Sequence, residues 1–283
     1  MARLVTPRPF LKWVGGKGQL ADRLMDCLPP QFGAYHEPFL GGGAFFFSLY
    51  REGLISKGFL SDINWELIDA YTAVRDSTDA VLARLATFRH TETFFYELRA
   101  KNPRRMKLVN RAARMIYLNK TCYNGLYRVN SKGRFNTPFG RYKNPTYRDP
   151  ENLHAVAQAL ANITIQRQPF DVVAENAQPG DLVYFDPPYV PLSATASFTA
   201  YYKDGFTSID QIRLRDMACD LSRRGVYVMV SNSSAEFVYE LYQDHFHLNK
   251  VLARRAINSN PDKRGKLPEL LITNYPVSLP ESV

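Results

Sequence analysis

The residues best suited to chemistry form the tetrapeptide Asp186-Pro187-Pro188-Tyr189, which follows the apolar run 182–185. An exocyclic amine on a nucleobase is a poor nucleophile because its lone pair is delocalised into the ring. If Asp186 and the Pro187 carbonyl each accept one N–H hydrogen bond, that lone pair can be aimed at a methyl donor. Tyr189 offers a ring on which an extruded base can stack. We therefore predict a catalytic set of Asp186, Pro187 and Tyr189, although a strand end with a capping Asp fits the same residues.

A glycine-rich segment, residues 37–43, follows the first apolar run of the chain. Glycines let the backbone turn sharply and approach a ligand closely. Because Phe45 or Phe46 stands where a dinucleotide fingerprint has its third glycine, a cofactor without phosphates, such as S-adenosylmethionine, fits better than a diphosphate. Asp62 ends the next apolar run, where an acid can accept both ribose hydroxyls. Alternatively, Asp62 is the N-cap of a helix that begins near Asn64, and the same alternative applies to Glu37.

Aromatic and cationic side chains surround a Gly-Gly pair near the N-terminus, within residues 10–17. Trp13 and Lys17 beside a cofactor pocket could bind the ring and the carboxylate tail of the cofactor. The same segment would equally suit an anion-binding turn at the start of a helix.

Composition favours a polyanionic partner. The 283 residues include 36 Lys plus Arg and 27 Asp plus Glu, which gives a net charge of +9 and a pI of about 9.4. Nucleic acid is the first candidate for such a partner. Cys27, Cys122 and Cys219 are widely spaced, so neither disulfides nor a zinc site is indicated, and we expect no metal. With short apolar runs and no signal-peptide pattern, we expect a soluble, cytoplasmic protein that does not bind a membrane.

Short apolar runs alternate with helical patterns in two parts of the chain, residues 1–65 and 162–283. The candidate strands are 35–39, 58–60, 163–165, 182–185, 226–230 and 270–272. Their lengths and spacing predict an α/β fold with a mostly parallel sheet covered on both faces. Residues 66–161 differ, because apolar positions there fall at helical spacing and precede a basic, aromatic stretch. We interpret 66–161 as an inserted helical domain.

The order of these segments resembles the Dam-type, alpha class of DNA adenine-N6 methyltransferases. Residues 10–17, 37–43, 61–64 and 186–189 follow the family order, and the likeness is strongest over 118–130 and 133–143. The resemblance implies a Rossmann-like S-adenosylmethionine-dependent methyltransferase sheet, made by 1–65 and 162–283, with 66–161 as an inserted helical DNA target-recognition domain. It also implies methylation of adenine N6 in double-stranded GATC, with bacterial or phage origin. The oligomeric state is left open, with a monomer as the default.

The resemblance also implies residue roles. Arg128 matches the arginine that reads a guanine, Lys12 matches a lysine that reaches the outer guanine, and Tyr123 matches the aromatic wedge beside the extruded adenine. The remaining DNA-binding residues are Asn124 beside the wedge, Leu126 and Pro138 against a thymine methyl, and Arg141, Tyr142 and Lys143 at phosphates. The cofactor-binding residues are Trp13, Lys17, Glu37, Phe39, Gly41, Gly43, Asp62, Phe170, Asp171 and Asp186.

The chain departs from the family pattern at Pro169-Phe170-Asp171, where an Asp-Phe pair is usual. Phe170 can still stack on the adenine of the cofactor, and Asp171 would then serve from one residue along. Two other functions fit the same residues. The chain could methylate another exocyclic amine, cytosine N4 or RNA adenine, or it could be a catalytically silent DNA-binding regulator.

Overall fold

The computed structural model describes residues 5–16, 20–192, 205–254 and 266–277, so the predicted site residue Lys17 lies outside the described residues. The strands are β1 (Tyr35–Glu37), β2 (Gly58–Asp62), β3 (Ile163–Arg167), β4 (Leu182–Phe185), β5 (Tyr227–Ser233), β6 (His247–Arg254) and β7 (Lys266–Thr273). The helices are α1 (Ala21–Met25), α2 (Ala44–Arg51), α3 (Trp65–Ala86), α4 (Glu92–Ala100), α5 (Leu108–Thr121), α6 (Pro150–Leu160), α7 (Val173–Asn176), α8 (Ser208–Arg223) and α9 (Glu236–Tyr242).

The strands form a seven-stranded sheet in the order β3-β2-β1-β4-β5-β7-β6. The pairs β1–β2, β1–β4 and β4–β5 are parallel, whereas β7 runs antiparallel to both β5 and β6. This arrangement confirms the predicted α/β class, the mostly parallel sheet and the six candidate strands. β6 was not among the predicted strands. Because chain order reverses between β1 and β4, the carboxyl ends of these two strands are the place where such sheets bind ligands.

The described chain divides into two compact units. The first comprises the described residues within 1–17, 41–54 and 62–167, and the second comprises those within 18–40, 55–61 and 168–283. The first unit therefore contains the predicted inserted domain, residues 66–161. It also contains residues 41–43, which we call the glycine-rich turn. The assignment of 66–161 to target recognition and of the flanking residues to catalysis stays a prediction.

The first unit is built around α3 and α5. Asn64 begins α3, because its side chain accepts the N–H groups of Glu66 and Leu67 at 3.1 and 3.3 Å. This assigns the N-cap to Asn64, so the alternative interpretation of Asp62 as that cap was wrong. The helical spacing predicted here is confirmed, since the positions that carried it are buried. They are Leu67, Ala70, Tyr71, Val74, Ala112, Ile116 and Leu118.

The core of the second unit lies against β4 and β5. Every residue of β4 is buried, as expected for a central parallel strand covered on both faces. α8 packs its apolar face on this part of the sheet, and a reciprocal capping box between Thr207 and Asp210 fixes the start of the helix. Asp186 and Pro187 directly follow the last residue of β4. The packing of β4 in the core therefore determines where the predicted catalytic tetrapeptide leaves the sheet. No helix in the described ranges is long and apolar enough to cross a membrane.

His36 is a buried titratable group in β1. Its side chain is 1% exposed, its ring stacks on Phe59 at 4.7 Å, and its Nε2 lies 3.0 Å from Asp181. Burial lowers the pKa of His36, and the hydrogen bond to Asp181 and the charge of Asp181 only partly oppose this effect. Neutral His36 therefore donates Nε2–H to Asp181, which also accepts the backbone N–H of Ala34.

Because the folded state lowers the pKa of His36 below 6.5, the stability it contributes should be full above about pH 6.5. That stability should be lost as the pH falls from there through the lowered pKa, since the unfolded chain binds the proton first. We expect His36→Gln to flatten the pH dependence of the free energy of unfolding in urea between pH 7.5 and 5. His154→Gln, at an exposed histidine, is the control. An unchanged slope in His36→Gln would contradict the assignment.

Candidate active site

The chain leaves the sheet directly after β4. Pro187 and Pro188 have no N–H group, so they cannot continue the hydrogen-bond ladder. Gln211 of α8, which is 1% exposed, instead donates its side-chain amide to the carbonyl of Pro188 at 2.9 Å. Asp186 is half-buried and Pro187 is buried. The first of the two prolines is thus held in place by the core, and the second by a side chain of the neighbouring helix.

Two residues at the end of β5 hold the next part of the main chain. Asn232 accepts the N–H of Val190 at 3.1 Å and donates to the side chain of Gln211 at 3.1 Å. The hydroxyl of Ser233 donates to the carbonyl of Val190. All three polar side chains are buried, which makes each of these bonds costly to lose. Sequence reasoning missed Gln211, Asn232 and Ser233, because a single polar residue within an apolar element carries no local signal of its partner.

Three tyrosines form side-chain hydrogen bonds around the predicted catalytic acid. Tyr35 donates to Glu37 at 2.9 Å, Tyr184 pairs with Ser231 at 2.9 Å, and Tyr189 donates to Glu269 at 2.6 Å. Burial raises the pKa of each tyrosine well above 10, and the charge of Asp186 raises each pKa further. Asp186 is therefore close to all three phenols, which stay protonated at neutral pH. Glu37, Asp186 and Glu269 together give this end of the sheet a negative potential that favours a cation.

Aromatic rings pack beside these carboxylates. Phe39 and Phe170, both predicted to bind the cofactor, stack on each other with centroids 5.5 Å apart, and Phe206 meets both rings. The stacked pair is too close to admit a third ring between its members, so a cofactor ring would lie against an outer face. Asp171 pairs with Arg213 at 2.6 Å, and the Arg213 guanidinium lies 5.5 Å from the Phe170 ring. If Asp171 binds the amine of the cofactor's adenine as predicted, it does so while paired with Arg213.

In the first unit, Asp62 holds the glycine-rich turn. Its carboxylate accepts the N–H of Gly41 at 3.1 Å and the N–H of Asn64 at 2.9 Å. Burial raises the pKa of Asp62, although these backbone hydrogen bonds oppose the rise. A carboxylate offers about four lone-pair positions, so Asp62 retains the capacity to accept ribose hydroxyls as predicted. Gly43 is the N-cap of α2, and both glycines adopt a positive φ.

Trp13 lies against the same turn. A Cβ atom added to Gly41 would meet Cδ1 of Trp13 at 2.7 Å, so this glycine is required by the close approach of the indole as well as by its φ of +48°. The other contact of the indole is a stacked arrangement with Tyr127 at 5.3 Å. Tyr127 donates to Glu66 at 3.3 Å, and Glu66 forms a buried ion pair with Arg114 at 2.9 Å. The orientation of Trp13 is thus tied to the core of its unit.

Asn119, a fully buried residue of α5, connects Lys12 to the segment that begins at Tyr123. Its side chain accepts the N–H of Lys12 and donates to the carbonyls of Lys12 and Gly125. A Cβ atom on Gly125 would overlap the Lys12 side chain at 2.5 Å. Nζ of Lys12 lies 4.4 Å from the centre of the Tyr142 ring. Lys12, Gly125 and Tyr142 are thereby brought together within the first unit, while their roles in DNA binding stay a prediction.

The segment from Tyr123 to Pro138 doubles back on itself. Tyr123 donates its N–H to the Pro138 carbonyl at 2.9 Å, and Thr137 donates its hydroxyl to the Leu126 carbonyl at 2.7 Å. Arg128 is exposed, and its Nε donates to Asn136 at 2.8 Å. Tyr123 is 53% exposed although it is large and aromatic, which fits a side chain that contacts a partner. Asn124 adopts a positive φ of 52°, while Arg141 and Lys143 are exposed.

One family model and three relatives show what this chain resembles. A model of the family described as D12 class N6 adenine-specific DNA methyltransferase matches residues 13–257. The Type II methyltransferase M1.LlaDCHI of Lactococcus lactis subsp. cremoris is 41% identical over 276 residues, covering 95% of each chain. The Type II methyltransferase M.MjaIII of Methanocaldococcus jannaschii is 42% identical, covering 95% of this chain and 99% of the relative. The DNA adenine methylase of Escherichia coli K12 is 37% identical, covering 95% and 96%.

We expect Gly41→Ala to lower the free energy of unfolding by about 1–3 kcal/mol more than Gly53→Ala. Both glycines have positive φ, but a Cβ at Gly53 meets nothing within 4 Å, so the difference isolates the contact with Trp13. Urea unfolding measures the free energies. The chain has two tryptophans, Trp13 and Trp65, so a Trp65→Phe background leaves only Trp13. In that background the tryptophan fluorescence should shift in Gly41→Ala and not in Gly53→Ala. Equal stabilities and equal spectra would refute the packing argument.

Proposed function

The chain belongs to the D12 class of N6 adenine-specific DNA methyltransferases, and we propose that it transfers the methyl group of S-adenosylmethionine to adenine N6 in double-stranded GATC. The observation that supports the chemical part is the position of Asp186 directly after β4. The main chain that follows it is held by Gln211, which donates to the Pro188 carbonyl, and by Asn232, which accepts the Val190 N–H. The recognition part is supported by the register of residues 118–143 with the Dam-type pattern. Membership in an adenine-specific family disfavours cytosine N4 as the target.

Asp186 would act by accepting a hydrogen bond from the adenine amine, with the Pro187 carbonyl accepting the second. When bound, S-adenosylmethionine supplies a methyl group on a positively charged sulfur. The amine nitrogen would take that methyl group, and sulfur would keep the electrons of the broken methyl–sulfur bond. The nitrogen, then positively charged, would release a proton to Asp186 or to solvent. Because that nitrogen becomes acidic only after transfer, Asp186 need not be a strong base.

We consider the predicted cofactor-binding residues of each unit separately. In the second unit, we propose Glu37 and Asp186 for cationic groups and an outer face of Phe39 or Phe170 for the adenine ring. In the first unit, Asp62 would accept ribose hydroxyls, while Trp13, Gly41 and Gly43 shape the turn. The fit rests on the cluster of carboxylates, which favours a cation, and on a glycine turn that Asp62 holds by the N–H of Gly41. Lys17 and Asp171 remain predicted contributors.

For recognition, we propose that Arg128 reads a guanine through two hydrogen bonds and that Lys12 reaches the outer guanine. Tyr123 would fill the space left by the extruded adenine, with Asn124 beside it. Leu126 and Pro138 would contact a thymine methyl. Arg141, Tyr142 and Lys143 would bind phosphates, which orient the protein but specify no sequence. The exposure of Tyr123 and Arg128, and the bracing of Lys12 by Asn119, support these roles.

The test of specificity is the initial rate of labelled methyl transfer to matched duplexes. One duplex carries a single GATC, four others carry a change at one base each, and an RNA copy completes the set. We expect transfer to the GATC duplex only. Equal transfer to every duplex would contradict the recognition proposal and leave the methylation chemistry in place.

We expect Asp186→Ala to abolish methyl transfer while duplex affinity changes little, because the variant removes the amine acceptor and leaves the first unit intact. Single-turnover transfer measures the chemistry, and a gel-shift titration measures duplex binding. Asp244→Ala, which removes an exposed carboxylate of the same unit, is the matched control. Transfer by Asp186→Ala at a substantial fraction of the parental rate would exclude Asp186 from catalysis.

We expect Arg128→Ala to reduce discrimination at its guanine by about 1–3 kcal/mol, the value of a bidentate contact with O6 and N7. The measurement is the ratio of kcat/KM for the GATC duplex to that for a duplex altered at that guanine. Arg148→Ala removes an equal charge from an exposed position of the first unit, so it should leave this ratio unchanged. If both variants keep the parental ratio, another residue reads the guanine.

A further inference from the structure

Tyr189 is connected to a strand that is distant in sequence. Its hydroxyl donates to Oε2 of Glu269 at 2.6 Å, across a sequence separation of 80 residues. Glu269 lies in β7, where it pairs in register with Ser233 at the end of β5. A carboxylate acceptor makes this bond shorter and stronger than a bond between neutral groups. The position of the phenol oxygen is therefore defined by the sheet as well as by the tetrapeptide.

Three other hydrogen bonds in the described part of this region act on the main chain. Gln211 holds the carbonyl of Pro188, while Asn232 and Ser233 hold the N–H and carbonyl of Val190. Such bonds place the Cα atom of Tyr189, but they do not set its χ1 torsion, which decides the direction of the ring. A bond at the hydroxyl, which lies on the long axis of the ring, restrains that direction. The contact with Glu269 supplies such a bond.

We propose that Glu269 is a positioning residue for methyl transfer: it fixes the direction of the Tyr189 side chain so that the ring lies where it can meet the target base in a reactive orientation. This inference rests on the proposed function, in which Tyr189 stacks on the extruded adenine. It assigns to β7 a part in catalysis that the tetrapeptide alone does not suggest. The effect should appear in kcat, because orientation of the bound base changes the chemical step more than it changes the affinity for cofactor or duplex.

The charges around the pair are consistent with this role. Burial raises the pKa of Tyr189 well above 10, and the negative charges of Asp186 and Glu269 raise it further. The phenol therefore remains a donor throughout the pH range of an enzyme assay. A phenolate would be repelled by both carboxylates and would lose the bond.

A double-mutant cycle tests the proposal with the full-length protein. Glu269→Ala and Tyr189→Phe remove the same hydrogen bond from opposite sides, and each should lower kcat by about threefold to tenfold. The double variant should lose no more than either single variant, because the bond can be removed only once. Glu269→Gln keeps an acceptor oxygen and should stay within about twofold of the parent. The duplex Kd should change little in all four. The KM for S-adenosylmethionine should change little in Tyr189→Phe, which keeps the charge of Glu269.

Losses that multiply in the double variant, or a parental kcat in Tyr189→Phe, would overturn the proposal. If Glu269→Ala fails to fold, Glu269→Gln and Tyr189→Phe test the proposal instead. A near-parental kcat in Glu269→Gln with a reduced kcat in Tyr189→Phe supports the proposal, and any other combination of results overturns it. Glu240→Ala, at an exposed glutamate of the same unit, controls for loss of charge. Rates are compared with the parent on whichever duplex the parent methylates. Failure of the GATC proposal thus stays distinguishable from failure of this one.

Discussion

The candidate active site depends on one constraint, which is that β4 cannot continue beyond its apolar run. The two prolines after Asp186 have no N–H groups, so the main chain must leave the sheet and its polar groups need other partners. Gln211, Asn232 and Ser233 provide those partners from α8 and β5. A buried polar group left without a partner costs about 1–3 kcal/mol. The exit of the chain from the sheet is consequently held by interactions that are expensive to break, and Asp186 is fixed by its neighbours.

In the first unit, too, a buried polar side chain binds backbone groups of separate segments. Asn119 is buried and makes three hydrogen bonds, two to Lys12 and one to Gly125. A single amide thus joins the N-terminal segment to the segment proposed to read DNA. The buried pair of Glu66 and Arg114 acts between α3 and α5, with Arg114 also donating to two backbone carbonyls. Removing one member of such a pair typically costs about 3–5 kcal/mol, although the pair itself adds little net stability. We interpret it as fixing the register of the two helices.

Much of the fold could be predicted from the sequence because central parallel strands are uninterrupted apolar runs, as in β4. β6 escaped prediction since Asn249 and Lys250 interrupt its apolar residues, a pattern suited to a strand at the edge of the sheet. The polar contacts were harder to predict. Asp62 and Asn64 are two residues apart, and only the hydrogen bonds show that Asn64 caps α3 while Asp62 holds Gly41. Glu269 and Tyr189 are 80 residues apart, and no local pattern pairs them.

We propose that a carboxylate at the end of β4 directs methyl transfer to the amine of adenine. The measurement that tests this is the identity of the methylated nucleoside after a GATC duplex has reacted with the protein and S-adenosylmethionine, determined by mass spectrometry of the digested DNA. We expect N6-methyladenine, at up to one per strand, and no methylated cytosine. N4-methylcytosine, or no methylated nucleoside while binding of cofactor and duplex is demonstrated separately, would contradict it.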